Sequence, residues 1–318
     1  MATITSHGAA EVVTGSCHLF AIENGPRILI DCGMFQGPEE EQNFGPFPFD
    51  PAEIDYLLIT HAHLDHIGRI PKLVKEGFRG TIYTTEASIE LAEIILLDSA
   101  KIMKEDYETR YKKAQRRGSE EEERLPLYGE EDIEATFDLD WYICEYDTPV
   151  SPQEEVHLTF RDAGHILGSA FIEITYRERG VDQTIVFSGD IGHDDSIVQH
   201  DLSACTHANT LYVESTYGDR NHQSTEETIN EFKKVVIETL NDWGNVVIPS
   251  FAVERTQEIL CVLKEMYDRK ELPQCKVFLD SPMATRATQV YNNHAELLRK
   301  KCQEVRERDG TVFDLEWM

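Results

Sequence analysis

Apolar positions in the first two hundred residues fall in short runs closed by turn formers. The runs at 17–22, 27–30 and 56–59 have the length and texture of buried strands. Asn24-Gly25, between the first two, is a hairpin signal. Residues 43–50, rich in Phe and Pro and followed by Pro51, predict an ordered loop. A helix is expected over 67–76, stopping near Gly77, then a strand over 81–84. A second helix starts at Glu86 with Ile89, Ala92, Ile95 and Leu96 on one face, and runs past Met103 into a charged excursion. That excursion is basic at 112–117, breaks at Gly118 and Ser119, and turns acidic at 120–123. Strands resume at 156–161, 170–176 and 184–188, so this region reads as two sheets flanked by helices.

The texture changes after Glu214. Ser224 and Glu227 form a capping-box pair that opens a helix ending near Gly244. A strand at 245–248, a helix at 254–268, a strand at 276–279 and a helix from Met283 come next. This alternation predicts a parallel α/β unit. A boundary near Tyr217 divides the chain into 1–216 and 217–318.

Composition narrows the class. A chain of 318 residues can bury a full core, and no apolar run approaches the roughly 18 residues that span a membrane. Seven singly placed cysteines with no paired spacing argue against a disulfide framework or a thiolate zinc site, and imply a reducing, cytoplasmic setting. The net charge of −29 is unusual for a protein that grips nucleic acid along its surface. Three explanations stand side by side: substrate held locally by a few cations and metals, adaptation to high salt or a basic partner, or an acidic surface that keeps the protein dissolved.

The segment Thr60-His61-Ala62-His63-Leu64-Asp65-His66 carries the chemistry. It places four candidate ligands within six residues, directly after an apolar strand. In extended chain His61 and His63 point the same way and can share one ion. The turn into the next helix aims Asp65 and His66 at a second ion. Imidazole and carboxylate donors suit zinc, and a divided set suits a two-metal site. Read alone, His165 in a Gly-flanked turn is either a structural histidine or a ligand, and Asp190 after a strand is either a turn former or a ligand.

The His-x-His-x-Asp-His pattern resembles the signature of the metallo-β-lactamase superfamily, and the resemblance extends over nearly the whole chain. Asp31 matches the family's early aspartate that supports the metal-binding loop. His165, in Asp-Ala-Gly-His-Ile-Leu-Gly-Ser at 162–169, matches the next zinc ligand, and Asp190 in Ser-Gly-Asp at 188–190 matches the aspartate that bridges both ions. Val-Glu-Ser-Thr-Tyr-Gly-Asp-Arg at 213–220 looks like the first motif of the β-CASP nucleases, with Glu214 in the acidic position. Residues 248–258 and 279–284 resemble segments of the RNA-processing branch, as do 8–16 and 31–37. The implied fold is α/β, an αββα metallo-β-lactamase sandwich with the start of an inserted α/β β-CASP domain. Late family motifs, one holding a histidine partner for Glu214 and one a histidine ligand to the second zinc, are not found before Met318. The second ion is therefore expected to lack one protein ligand and to bind weakly or be absent; two equally tight sites would instead imply that another residue, such as His193 or His222, fills the gap.

The resemblance implies a zinc-dependent ribonuclease that hydrolyses RNA phosphodiester bonds by a metal-activated hydroxide. His61, His63, Asp65, His66, His165 and Asp190 would hold two Zn2+ ions. Asp65 would orient or deprotonate the nucleophile and Glu214 manage the leaving-group proton. Ser250, Arg255 and Ser281 are the expected phosphate contacts. A seam salt bridge for Glu214 and a buried Arg–Glu pair for Arg255 are the rival readings. RNA is the expected partner, with a homodimer allowed for and no membrane. The alternatives are a non-catalytic lactamase-fold scaffold that binds RNA or protein, and a small-ester or lactam hydrolase, which needs no inserted domain.

Overall fold

The computed structural model describes residues 1–117, 124–193, 195–221 and 223–314. The break expected at Gly118 and Ser119, the acidic run 120–123 and His222 lie outside them. Contacts divide the chain into two compact units. The first holds residues 1–161, 169–189 and 205–213; the second holds 162–168, 190–204 and the chain from Glu214 onward.

The first unit contains two sheets among the described residues. One has six strands in the order β1 (Thr3–Ser6), β2 (His18–Ala21), β3 (Arg27–Ile30), β4 (Tyr56–Leu58), β5 (Thr81–Thr84) and β6 (Trp141–Ile143). The first three pair antiparallel and the remainder parallel. The other sheet runs β11 (Thr210–Tyr212), β10 (Val181–Phe187), β9 (Ala170–Glu178), β8 (Val156–Asp162), β7 (Val150–Gln153). The sheets meet through one apolar core. Phe20, Ile28, Ile30, Leu58 and Tyr83 from the first face Leu158, Phe160, Ile172, Ile174, Ile185 and Phe187 from the second. Alternation explains this: Val156, Leu158 and Phe160 stand two residues apart and share one face of β8. Leu29, Leu57 and Ile82 point to the opposite face of their sheet and are fully buried as well. That double burial is the reason β3 and β4 read as nearly continuous apolar runs.

Helices α1 (Leu64–Ile67), α2 (Ile70–Lys75), α3 (Glu86–Arg117) and α4 (Glu130–Phe137) belong to the same unit. The helix expected over 67–76 is realised as α2, starting at Ile70, and Ile67 instead ends the separate α1. Pro71 has no N–H to donate to Ile67, so the first helix cannot run into the second. In α3 the buried stripe is Ala87, Ser88, Leu91, Ala92, Ile95, Leu96, Ser99 and Ala100, with Ile89 only half-buried. Beyond Ala100 the helix has no buried residue among those described.

The second unit is built on α5 (Thr225–Asn241), α6 (Arg255–Asp268), α7 (Pro282–Asn293) and α8 (Lys300–Asp309). Val236, Val262, Leu263 and Met266 form its apolar centre. Ser224 caps α5 by accepting from the Glu227 N–H. The strands expected at 245–248 and 276–279 do not form, and no parallel ladder is present in this unit among the described residues. A strand exists by pairing, and these two segments join no ladder: Val246 and Val277 pack against the apolar centre, while Val247 is 87% exposed and Phe278 79%.

Candidate metal centre

β4 delivers the chain to Thr60, and three neighbouring stretches brace the ligand-bearing turn after it. Asp31, at the end of β3, takes a left-handed conformation with φ of 58°, which aspartate tolerates. Its buried carboxylate accepts from the Thr60 N–H (2.8 Å) and the Thr60 hydroxyl (2.9 Å), and from the Ser16 hydroxyl (3.1 Å). The His66 Nδ1 stands 2.7 Å from the same carboxylate. A hydrogen on that Nδ1 leaves Nε2 as the nitrogen with the lone pair, which is the tautomer a ligand needs. Gly33 is required by close approach: a Cβ there would lie 1.5 Å from the Asp65 carbonyl oxygen. Ser16 N–H donates to that carbonyl and Cys32 N–H to the carbonyl of His66, so segments 14–16, 31–34 and 64–66 support one another.

His61 Nε2 and His63 Nδ1 face each other at 3.1 Å. Two nitrogens on one tetrahedral zinc, each at ~2.0–2.1 Å, stand roughly 3.3 Å apart. His165 Nε2 lies 3.6 Å from Asp190 Oδ2. Their loops are stitched by the Gly192 N–H, which donates to the Ala163 carbonyl, and a Cβ on Gly192 would collide with the Gly164 carbonyl. Ligand atoms of His61, His63, His165 and Asp190 all lie within 4.8 Å of one another. Three imidazoles and a carboxylate form a donor set suited to a divalent transition metal. The group does not include Asp65 or His66.

Glu214 comes directly after β11 and Val213. Its carboxylate accepts from the Ile191 N–H (3.4 Å) and the Thr216 N–H (2.9 Å), which ties it to the residue after Asp190. Ser250 Oγ is 2.9 Å from the Thr256 hydroxyl. Arg255 donates to Glu258 at 2.6 Å with its guanidinium largely exposed, so this Arg–Glu pair is not a buried one. Ser281 caps α7 by accepting from the Ala284 N–H. Sequence reasoning missed Thr60 and Ser16 as supports, and it missed Glu254, Tyr291 and Gln199, which meet in the second unit. No spacing rule marks these residues.

A family model described as Metallo-beta-lactamase superfamily matches residues 10–240, and one described as Beta-Casp domain matches 256–317. Ribonuclease TTHA0252 of Thermus thermophilus is 42% identical over 91% of this chain and 60% of its own length. Transcription termination factor FttA of Methanosarcina mazei is 30% identical over 95% of this chain and 45% of its own. Endoribonuclease ysh1 of Schizosaccharomyces pombe is 27% identical over 96% and 38%. The chain thus spans less than two thirds of these relatives. A crystal structure of a protein of unknown function from Enterococcus faecalis shares the fold, with a TM-score of 0.52 at 14% identity over 91% of this chain and 68% of that one.

Proposed function

Because this chain belongs to the metallo-β-lactamase superfamily and carries Beta-Casp sequence after it, we propose that it is the metal-binding core of a zinc-dependent ribonuclease that hydrolyses RNA phosphodiester bonds with water. The observation that carries this reading is the three-histidine, one-aspartate group, together with relatives named ribonuclease and endoribonuclease.

In this reading His61, His63, His165 and Asp190 hold an ion, and Asp65, His66 and Asp190 contribute to a second. Bound zinc would supply Lewis-acid charge at the scissile phosphate and lower the pKa of the attacking water towards neutrality. Asp65 takes the nucleophile's proton on a carboxylate oxygen. Glu214, fixed by two backbone N–H groups, would manage the leaving-group proton together with a histidine partner. Asp31 orients the His66 ring and the Thr60 turn. Ser250, Arg255 and Ser281 are the residues offered to substrate phosphates.

The test is metal content and cleavage in the same preparation. The protein should bind zinc, His61→Ala with His63→Ala should lose most of it, and Asp190→Ala should abolish cleavage of single-stranded RNA. Rapid thioester turnover with inert RNA would assign the chain to a different chemistry on this fold.

A further inference from the structure

Leu167 lies two residues after His165, and its buried N–H donates to the Tyr291 hydroxyl at 3.2 Å. Tyr291, on α7, is fully buried and donates onward to Glu254 Oε2 at 2.7 Å. Gln199 Nε2 donates to the same oxygen at 2.8 Å. The carboxyl of Glu254 is therefore the common acceptor of two side chains, and Tyr291 relays it to the backbone of the His165 loop.

The backbone at Glu254 is strained. Its φ of 69° and ψ of −68°, with the Arg255 N–H donating to the Val253 carbonyl at 3.1 Å, define a positive-φ γ-turn, a rare and costly conformation for a residue with a side chain. Glycine would relax it. Such strain persists where surrounding contacts over-determine it, and here those contacts are the ones made by the carboxyl. The platform beneath is firm: Gln257 of α6 donates to Thr288 of α7 at 2.8 Å, with both side chains buried. Removal from water, then repulsion from Glu258, pushes the Glu254 carboxyl up to about 8. At neutral pH it is mostly protonated, and glutamine is its near-isostere.

We propose that Tyr291 and Glu254 are positioning residues that set the His165 loop for metal binding through the Leu167 N–H. This inference rests on the metal reading given above. Without the tyrosine hydroxyl, the Leu167 N–H loses a buried acceptor, and the loop can relax away from the geometry in which the His165 ring faces Asp190. Support of this kind typically sets metal affinity by 10–100-fold.

Zinc affinity is measured in the full chain by competition with a chromophoric chelator, alongside the visible spectrum of the cobalt(II) form and the unfolding midpoint. Tyr291→Phe and Glu254→Leu should each weaken zinc binding by about tenfold or more and alter the cobalt bands. Glu254→Gln should restore affinity to within about threefold of the original, since its amide oxygen still accepts from Tyr291 and Gln199. A general packing defect would not be rescued by glutamine in this way. Zinc affinity and cobalt bands unchanged in Tyr291→Phe would overturn the proposal, as would Glu254→Gln falling as far as Glu254→Leu. If the unsubstituted protein binds no zinc, the metal reading itself fails. Should the variants not fold, hydrogen exchange of the Leu167 amide in the metal-free protein decides: protection is expected, and exchange at the rate of an open loop overturns the proposal.

Discussion

Asp31 shows how one buried carboxylate can brace the turn that carries the proposed ligands. Its two oxygens collect the Thr60 N–H and hydroxyl, the Ser16 hydroxyl and the His66 ring. Asp31→Asn keeps the shape and tolerates the left-handed backbone, but turns an N–H2 towards groups that themselves donate. Each buried donor left unpaired costs about 1–3 kcal/mol. The variant should therefore lose a few kcal/mol of stability, read by denaturant unfolding, and bind zinc about 10–100-fold more weakly. Zinc affinity equal to the original would remove Asp31 from the site. Glu254 gives a second test at this scale. Its ordinary carboxyl value of 4.5 rises to about 8 in the fold, so between those values the folded protein holds a proton that the unfolded chain has released. Folding is then favoured at low pH and loses up to about 1.4 kcal/mol for each unit of rising pH across that window. Glu254→Gln has no such proton. Glu258, also raised by burial, titrates in both proteins. Unfolding free energies of the original and of Glu254→Gln should diverge from pH 5 to 8 and run parallel above; parallel curves throughout would contradict the shifted carboxyl. The approach of His61 to His63 was legible because its geometry is local. Tyr291 was not, because its partner Leu167 stands 124 residues away and neither residue type signals the other.

At the level of elements, periodicity identified the pieces that carry their own signal. The strand 27–30 emerged as expected because alternation and burial agree along it, and α3 because a repeat of small and apolar residues runs through its first half. Failures came where a partner decides the outcome. Residues 245–248 and 276–279 are rich in strand formers yet join no ladder. β1 and β7, polar and half-exposed, are strands because a neighbour pairs with them. The distal half of α3 offers a clean test, since no described residue beyond Ala100 in it is buried. Lys112→Glu with Lys113→Glu should leave zinc content and the unfolding midpoint unchanged, the latter within about 0.5 kcal/mol. Loss of zinc on this reversal would mean that the helix reaches the metal ligands. At α5, Ser224→Ala removes the acceptor for the Glu227 N–H and should cost about 1 kcal/mol, read as a lowered unfolding midpoint.

For the whole molecule, the net charge of −29 sets the terms on which a polyanion can bind. If the proposed function holds, the summed field would repel RNA at long range, and attraction would come from bound metal and a few cations at short range. Added salt weakens both. The Debye length is about 8 Å at physiological ionic strength, so repulsion from distant carboxylates is screened first and close phosphate contacts persist longer. The two responses oppose each other. Affinity for single-stranded RNA should then fall only gently with salt, with a slope of log K against log salt shallower than about −3, equivalent to roughly four neutralised phosphates. The measurement needs uncut substrate, so it is made with Glu214→Gln, which keeps the proposed ligands. No described helix is long and apolar enough to cross a membrane. A slope near −7 would require about ten phosphate contacts, an extended cationic track, and would shift recognition from the metal site to the surface.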